Sequence, residues 1–402
     1  MSRPTNSDSS AVKPPEQLAQ QLGHELRAEV LEPMKRSFVG KDEIIDLMGL
    51  CLVARENLFL LGPPGTAKSA LVQSLARQIE GRVFDYLLTR FTEPNEIFGP
   101  FDIRKLRDGE LETNTSGMLP EANFIFLDEL LNANSAILNS LLLVLNERVF
   151  RRGRETKPLP TLMVVGASNH LPEDEALSAL FDRFLIRVNC NNVSDESLSE
   201  VLSAGWKLDA QVDSSQNGRQ KPTVNASALR DLHRLVPSVD VESLRPQYVN
   251  LVLQLRNAGI RISDRRAVKL QRLIAASALL CGRLHANLTD LWVFRYIWDT
   301  EDEQEILASL VSQTLENADD QERAAGHPRS QVSDAPDPEQ LSADLSQIGS
   351  VIDRADAAEL SVMRDRLVLL TARCQWVTDA QERSFLENEV NNLWQRLEAP
   401  NS

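Results

Sequence analysis

The sequence predicts an α/β fold, a parallel β-sheet sandwiched by helices, followed by an all-α region and a helical C-terminal tail. Three observations predict it. From about residue 16 to 190, short apolar runs (ENLFLLG, GRVFDYLL, NFIFLDE, LPTLMVVGAS and FLIRVNC) alternate with stretches of helical periodicity. Strands interleaved with helices call for a parallel sheet covered on both faces. From about 194 to 300 the strand signals vanish and helical periodicity takes over. Beyond a polar stretch, two more helices are expected over about 341–373 and 379–397, the second with an apolar stripe of Leu386, Val390, Leu393 and Leu397.

Taken in order, residues 1–15 are Ser/Pro-rich and read as a disordered N-terminus. Residues 16–193 form the α/β domain and 194–300 a smaller helical domain. Residues 301–340 hold an acidic helix end and a linker, because 317–340 is polar, contains three prolines and has few apolar side chains. Residues 341–402 form a helical hairpin, with Leu360, Leu367 and Leu370 of its first helix as the simplest cover for the stripe of the second.

Composition sets the bounds. A chain of 402 residues can hold two or three domains, and 42% apolar with 25% charged residues is ordinary for a globular protein. The net charge of −15 argues against a mainly electrostatic grip on nucleic acid or an anionic membrane. Most of that charge is in the tail, where residues 301–402 carry 21 acidic and 8 basic side chains. No apolar run approaches the roughly 18–20 residues of a membrane helix, and the N-terminal segment is polar rather than signal-like. Cys51, Cys190, Cys281 and Cys374 lie far apart without paired spacing, which suits reduced structural thiols and a cytoplasmic setting.

The stretch LLGPPGTAKSAL, residues 60–71, carries the first chemistry. A phosphate cradle needs a strand, a tight turn of inward N–H groups, and a helix whose positive end faces the anion. Asn57–Leu61 supplies the strand, Gly62–Ala67 the turn, and Ser69–Ile79 the helix, with Leu71, Leu75 and Ile79 on one face. The pattern G-x-x-x-x-G-K-[ST] is met at Gly62, Lys68 and Ser69, but Ala67 stands where it has glycine. If φ is negative there, alanine costs little; at positive φ it is strained. Lys68 would reach the β- and γ-phosphates, and the Ser69 hydroxyl would ligate Mg²⁺.

A second stretch, FIFLDE (124–129), is an apolar strand ending in two acids. Its buried run puts Asp128 at the carboxyl end of a strand, where open parallel sheets bind ligands. Asp128 is the natural carboxylate for Mg²⁺, and Glu129 can polarise an attacking water. An acidic pair alone is commonplace. Following Lys68 by about 60 residues inside an alternating β/α pattern, it makes nucleoside triphosphate hydrolysis the leading reading and Ala67 a tolerated variant.

The chain at this point resembles the MoxR group of AAA+ ATPases, and more closely its RavA-like branch. The resemblance is carried by FVGKDEII (38–45), GPPGTAKS (62–69), TRFTEPNEIFGP (89–100), SGMLPEANFIFLDEL (116–130), ILNSLLLVLNER (137–148), GASNHLPE (166–173), LFDRF (180–184) and SDRRAVKLQRL (263–273). It implies an AAA+ P-loop NTPase core with a helix-2 insert hairpin, then an all-α lid domain. It also implies that Val39 and Gly40 border the adenine, and that the loop residues Gly62, Pro63, Pro64, Gly65, Thr66, Ala67, Lys68 and Ser69 hold ATP. Asn169 matches sensor 1, which helps position the water beside Glu129; by itself an asparagine there reads as a turn cap. Arg183 matches an arginine finger acting on ATP of a neighbouring subunit, with Arg187 close enough to be confused with it.

Arg265 matches sensor 2. Local physics adds that Ser263 or Asp264 can cap a helix burying Leu270, Leu273, Ile274, Ala278 and Cys281. An arginine in that first turn opposes the helix dipole by about 0.3–1 kcal/mol, a penalty that a nearby anion such as a γ-phosphate would reverse. Pairing with Asp264 is the ordinary alternative, and Arg266 is an equally basic neighbour.

Between strands two and three, R-D-G separates two short arms and reads as a hairpin, which the resemblance equates with an insertion facing a central pore or a client. A finger supplied in trans implies a ring, for this family a hexamer, because head-to-tail interfaces close that way. The resemblance further implies a von Willebrand factor A domain protein as partner and a protein client to be remodelled. No membrane insertion is expected. A nucleic-acid motor is disfavoured by the acidic charge, and a nucleotide-gated scaffold by the full set Lys68, Asp128, Glu129 and Asn169. The C-terminal hairpin, which holds no ATP-site motif, suits docking of a client or adaptor.

Overall fold

The computed structural model describes residues 14–107, 112–152, 155–172, 174–193, 197–215, 224–332, 338–352, 357–374, 377 and 379–398. Of residues 1–15, expected to be disordered, 1–13 lie outside these, as do Asp108 and Gly109 of the R-D-G turn, while Pro15 already begins the helix Pro15–Glu25. The five apolar runs become five parallel strands: β1 (Leu58–Leu61), β2 (Val83–Leu87), β3 (Phe124–Asp128), β6 (Met163–Ser168) and β7 (Ile186–Asn189). Two further strands, β4 (Val149–Arg152) and β5 (Glu155–Pro158), pair antiparallel as a separate ribbon. Sequence periodicity gives no sign of that ribbon, since each arm is short and largely charged.

The sheet order is β2-β3-β6-β1-β7. β1, β3 and β6 read as unbroken apolar runs because both their faces are covered, apart from the partly exposed Asp128 that ends β3. The helix Asp42–Ala54 packs on β1 and β7, and the helix Lys68–Gln78 on β3 and β2. β2 is an edge strand: Val83, Asp85 and Leu87 are exposed while Phe84 is buried.

The chain divides into two units, Met1–Ser243 with Val268–Ala286, and Leu244–Ala267 with Asn287–Ser402. The first holds the sheet and the helix Ala226–Leu235, whose Asn225 caps it by accepting from the Ala228 N–H. Within the second, the helices Arg245–Asn257 and Asp302–Leu315 pack together beside a buried 3₁₀ run, Leu288–Tyr296.

Two readings of the tail change. The described residues 317–332 are not an open linker. Asp319 and Glu322 form a capping box that starts the helix Asp320–Ala325, a 3₁₀ turn follows at Pro328–Gln331, and the buried His327 stacks on Trp292 with ring centroids 4.8 Å apart. Polar composition misled because the segment is held by capping and by one buried aromatic pair rather than by an apolar stripe. The expected hairpin is instead three helices, Pro338–Val351, Ala357–Cys374 and Ala380–Glu398. Their shared core includes Leu341, Leu345, Leu367, Leu370, Leu386 and Val390, and a Cβ on Gly349 would stand 3.3 Å from the Leu393 side chain, a tight contact.

In the region between β2 and β3, Phe101 and Thr113 form an antiparallel bridge, with Asp102 N–H on the Glu112 carbonyl at 2.8 Å. The arm beyond the bridge is the short helix Ile103–Arg107 rather than a strand. No helix among the described residues is long and apolar enough to cross a membrane.

Candidate functional site

Strand order puts the loop, Asp128, Glu129 and Asn169 at one end of the sheet. The loop 62–67 leaves the carboxyl end of β1, and the Gly62 N–H donates to the Ser168 carbonyl of β6 at 2.9 Å. Asn169 follows Ser168 directly. β3, the neighbour of β6, ends in Asp128 and Glu129. On the other side Cys190 follows β7 directly, its N–H donating to the Leu61 carbonyl at 2.6 Å. The loop, Asp128, Glu129 and Asn169 therefore sit at the carboxyl ends of three adjacent strands. Val39 and Gly40 come to the same end. Lys41 donates to the Asn191 carbonyl, and a Cβ on Gly40 would lie 2.9 Å from Val193.

The loop has a built shape. A Cβ at Gly62 would stand 2.3 Å from the Cys190 carbonyl oxygen, so only glycine lets the loop pass that backbone. Thr66 Oγ1 donates to the Pro63 carbonyl at 3.0 Å. Pro63 and Pro64 are exposed, and Gly65 has φ +83° with open space where a Cβ would be. Ala67 stands at φ +67°, ψ +20°. The chain has therefore not yet entered the helix there, and the condition under which alanine costs little is not met. Ala67 occupies the left-handed region that its missing glycine would have taken without strain.

Lys68 begins the helix and is buried, at 6% exposure. Its ammonium donates to the Gly62 and Pro63 carbonyls, each at 2.8 Å, and no carboxylate pairs with it among the described residues. A buried cation held only by neutral carbonyls at a helix N-terminus favours an anion. The Ser69 hydroxyl donates to Asp85 of β2, and Gln73 donates to both Ser69 Oγ (3.1 Å) and Asp85 (3.0 Å). Sequence reasoning missed Asp85 and Gln73; the available signal was an acid inside the strand VFDYL.

Asp128 accepts the Glu129 N–H at 3.0 Å, and Glu129 is itself left-handed, at φ +49°. Strained backbone at a carboxylate leaving the strand end is the kind found where a side chain must be aimed. The Asn169 side chain is exposed and makes no hydrogen bond among the described residues. The turn-capping bond, His170 N–H to a hydroxyl at 3.3 Å, uses Ser168 instead.

Arg183 and Arg187 separate cleanly. Arg187 is fully buried in β7, 4.1 Å over the Phe181 ring, and donates to the Phe181 carbonyl. Arg183 precedes β7 and is paired with Asp182 at 2.6 Å. Its carbonyl accepts from Asn57, which precedes β1, so it stands at the amino end of the sheet. The four residues of β1, about 13 Å at 3.3 Å each, separate that end from the loop. Arg265 and Arg266 separate likewise within the second unit. Arg266 is buried and bonded to Asp299 and to the Arg261 carbonyl, whereas Arg265 is exposed in the first turn of the helix Asp264–Leu280. Asp264 is taken by Arg256 at 2.8 Å, and Ser263 accepts the Arg266 N–H. Cys281 lies just past the helix end.

ATP and Mg²⁺ suit this donor set: a glycine-dependent cradle, a buried ammonium with no carboxylate partner among the described residues, a first-turn hydroxyl and strand-end carboxylates.

Comparison with known proteins agrees. A family model described as the MoxR domain in the MoxR-vWA-beta-propeller ternary systems matches residues 24–234, and an AAA lid domain model matches 245–311. An uncharacterised protein of Methanocaldococcus jannaschii is 36% identical over 294 residues, 72% of this chain and 74% of that protein. Chaperone MoxR1 of Mycobacterium tuberculosis is 31% identical over 183 residues, 44% of this chain and 48% of its own length. In fold, the chain is similar to the crystal structure of a candidate ATPase from Cytophaga hutchinsonii, with TM-score 0.59 at 19% identity over 76% of this chain and 97% of that one.

Proposed function

This chain belongs to the MoxR family of AAA+ ATPases, and from that premise we propose that it hydrolyses ATP in a ring of its own copies, a hexamer, to remodel or activate partner proteins. The observation that carries the reading is Lys68, a buried ammonium with no carboxylate partner among the described residues, poised at the start of a helix behind a glycine-dependent loop. On binding, Lys68 exchanges the Gly62 and Pro63 carbonyls for the β- and γ-phosphates, while the N–H groups of residues 65–69 line the cradle. Ser69 and Asp128 would hold Mg²⁺, which would neutralise charge on the phosphate oxygens. Glu129 polarises the attacking water and Asn169 orients it. Val39 and Gly40 border the adenine.

Arg183 stands a strand's length from its own loop, so its part is on the nucleotide of a neighbouring copy, which makes the ring necessary for turnover. The GPPG-x-AKS loop favours the RavA-like branch. The description of the matching family model names vWA and beta-propeller components, which supports a von Willebrand factor A domain protein as the working partner.

The test separates binding from chemistry. Lys68→Ala should abolish binding of a fluorescent ATP analogue, whereas Glu129→Gln should bind ATP and lose phosphate release. Turnover near the wild-type rate in Glu129→Gln would remove the water-activating role. Retained binding in Lys68→Ala would remove the loop as the nucleotide site.

A further inference from the structure

The Ser69 hydroxyl is already committed on two of its three sides. A serine hydroxyl offers one donor and two acceptor lone pairs. Here the proton goes to the Asp85 carboxylate, and one lone pair accepts from Gln73 Nε2 at 3.1 Å. Gln73 is one helical turn beyond Ser69, so the two side chains share a helix face, and it also donates to Asp85 at 3.0 Å. In the β2–β3 register Asp85 pairs with Phe126 and Leu87 with Asp128, which puts Asp85 and Asp128 on the same face of the sheet, the one against which the Lys68–Gln78 helix leans. Asp85 stands on the edge strand and is exposed, so it is not held there by burial.

We propose that Asp85 is a positioning residue for the nucleotide-bound Mg²⁺: by taking the Ser69 proton, with Gln73 filling one lone pair, it leaves the remaining lone pair of Ser69 fixed for the cation. The inference rests on the nucleotide reading above. A hydroxyl without an acceptor for its proton rotates, and the cation must then reorient it before binding. Outer partners that orient a metal ligand are worth about 10–100-fold in metal affinity. Asp85 also adds a second carboxylate on the cation's side of the helix, beyond Asp128.

The full-length protein, a fluorescent ATP analogue and a Mg²⁺ titration test this without turnover. In Asp85→Ala the Mg²⁺ concentration for half-maximal Mg²⁺-dependent tightening of nucleotide should rise about tenfold, with nucleotide affinity in EDTA unchanged. Asp85→Asn keeps a carbonyl acceptor for the Ser69 proton and should restore most of the wild-type Mg²⁺ requirement. An unchanged Mg²⁺ requirement in Asp85→Ala overturns the proposal. So does an Asp85→Asn protein as impaired as Asp85→Ala, or an equal loss of affinity in EDTA. Failure of the wild-type protein to bind nucleotide would instead overturn the reading on which the proposal stands.

Discussion

Replacing Ala67 by glycine should stabilise the protein, although it removes a methyl group from a helix boundary. Ala67 sits at φ +67° and its side chain is exposed, so the substitution strips no packing. The left-handed well costs a Cβ-bearing residue about 1–2 kcal/mol. Glycine gives back about 0.4–1 kcal/mol through the freer unfolded chain. The balance is about 1 kcal/mol in favour of glycine, or about 2–4 °C in the melting of a domain of 150–250 residues. Thermal denaturation of the nucleotide-free protein, followed by circular dichroism, reads this directly. Ala67→Val supplies the opposite sign, because a β-branched residue tolerates positive φ least, and should melt below wild type. Nucleotide affinity of Ala67→Gly should be retained, since no cradle group is lost. If Ala67→Gly melts at or below the wild-type temperature, the strain argument fails, and with it the claim that this loop holds its alanine against a conformational cost.

Three other predictions concern separate parts of the chain. Arg183→Ala should bind ATP yet hydrolyse it poorly, and mixing it with Lys68→Ala protein should recover activity in mixed rings; no recovery despite measured subunit exchange would count against action across the interface. Deleting 338–402 should leave the rest folded, whereas deleting 317–402 also strips His327 from Trp292 and the Arg329 and Val332 carbonyls from Arg295, and should melt distinctly lower. Equal melting of the two truncations would show that the 317–332 segment contributes nothing. His233 donates from Nε2 to the Leu52 carbonyl at 2.9 Å, and burial, with Arg55 and Arg272 nearby, holds its imidazole below the ordinary value of 6.5. The unfolded chain then binds the proton more readily, so its contribution is full above about pH 6.5 and is lost as pH falls toward the folded value. Urea unfolding over that range should show a pH slope that His233→Gln, which keeps an N–H donor, flattens.

Local pattern alone determined the elements that carry the chemistry. Apolar runs of four to six residues marked all five strands of the parallel sheet, and the spacing from Gly62 through Lys68 to Asp128 pointed to the loop and acid proposed for the nucleotide site. Such signals are readable because they depend on near neighbours: a strand's burial, a turn's glycine and a helix's first turn are each written within about ten residues. Tertiary structure decided the rest. The order β2-β3-β6-β1-β7 sets Asn169 beside the loop and Arg183 a strand away from it, and no local pattern encodes which strands adjoin. Burial chose between neighbouring arginines, sending Arg187 and Arg266 inward and leaving Arg265 exposed and Arg183 largely covered before β7. The positive φ at Ala67 is a property of the closed loop and cannot be read from the residues beside it. Asp85, 16 residues from Ser69 in sequence, becomes its hydrogen-bond partner only because the helix after the loop lies across to the edge strand. These are contacts between distant segments, and their energies exist only once the chain has closed.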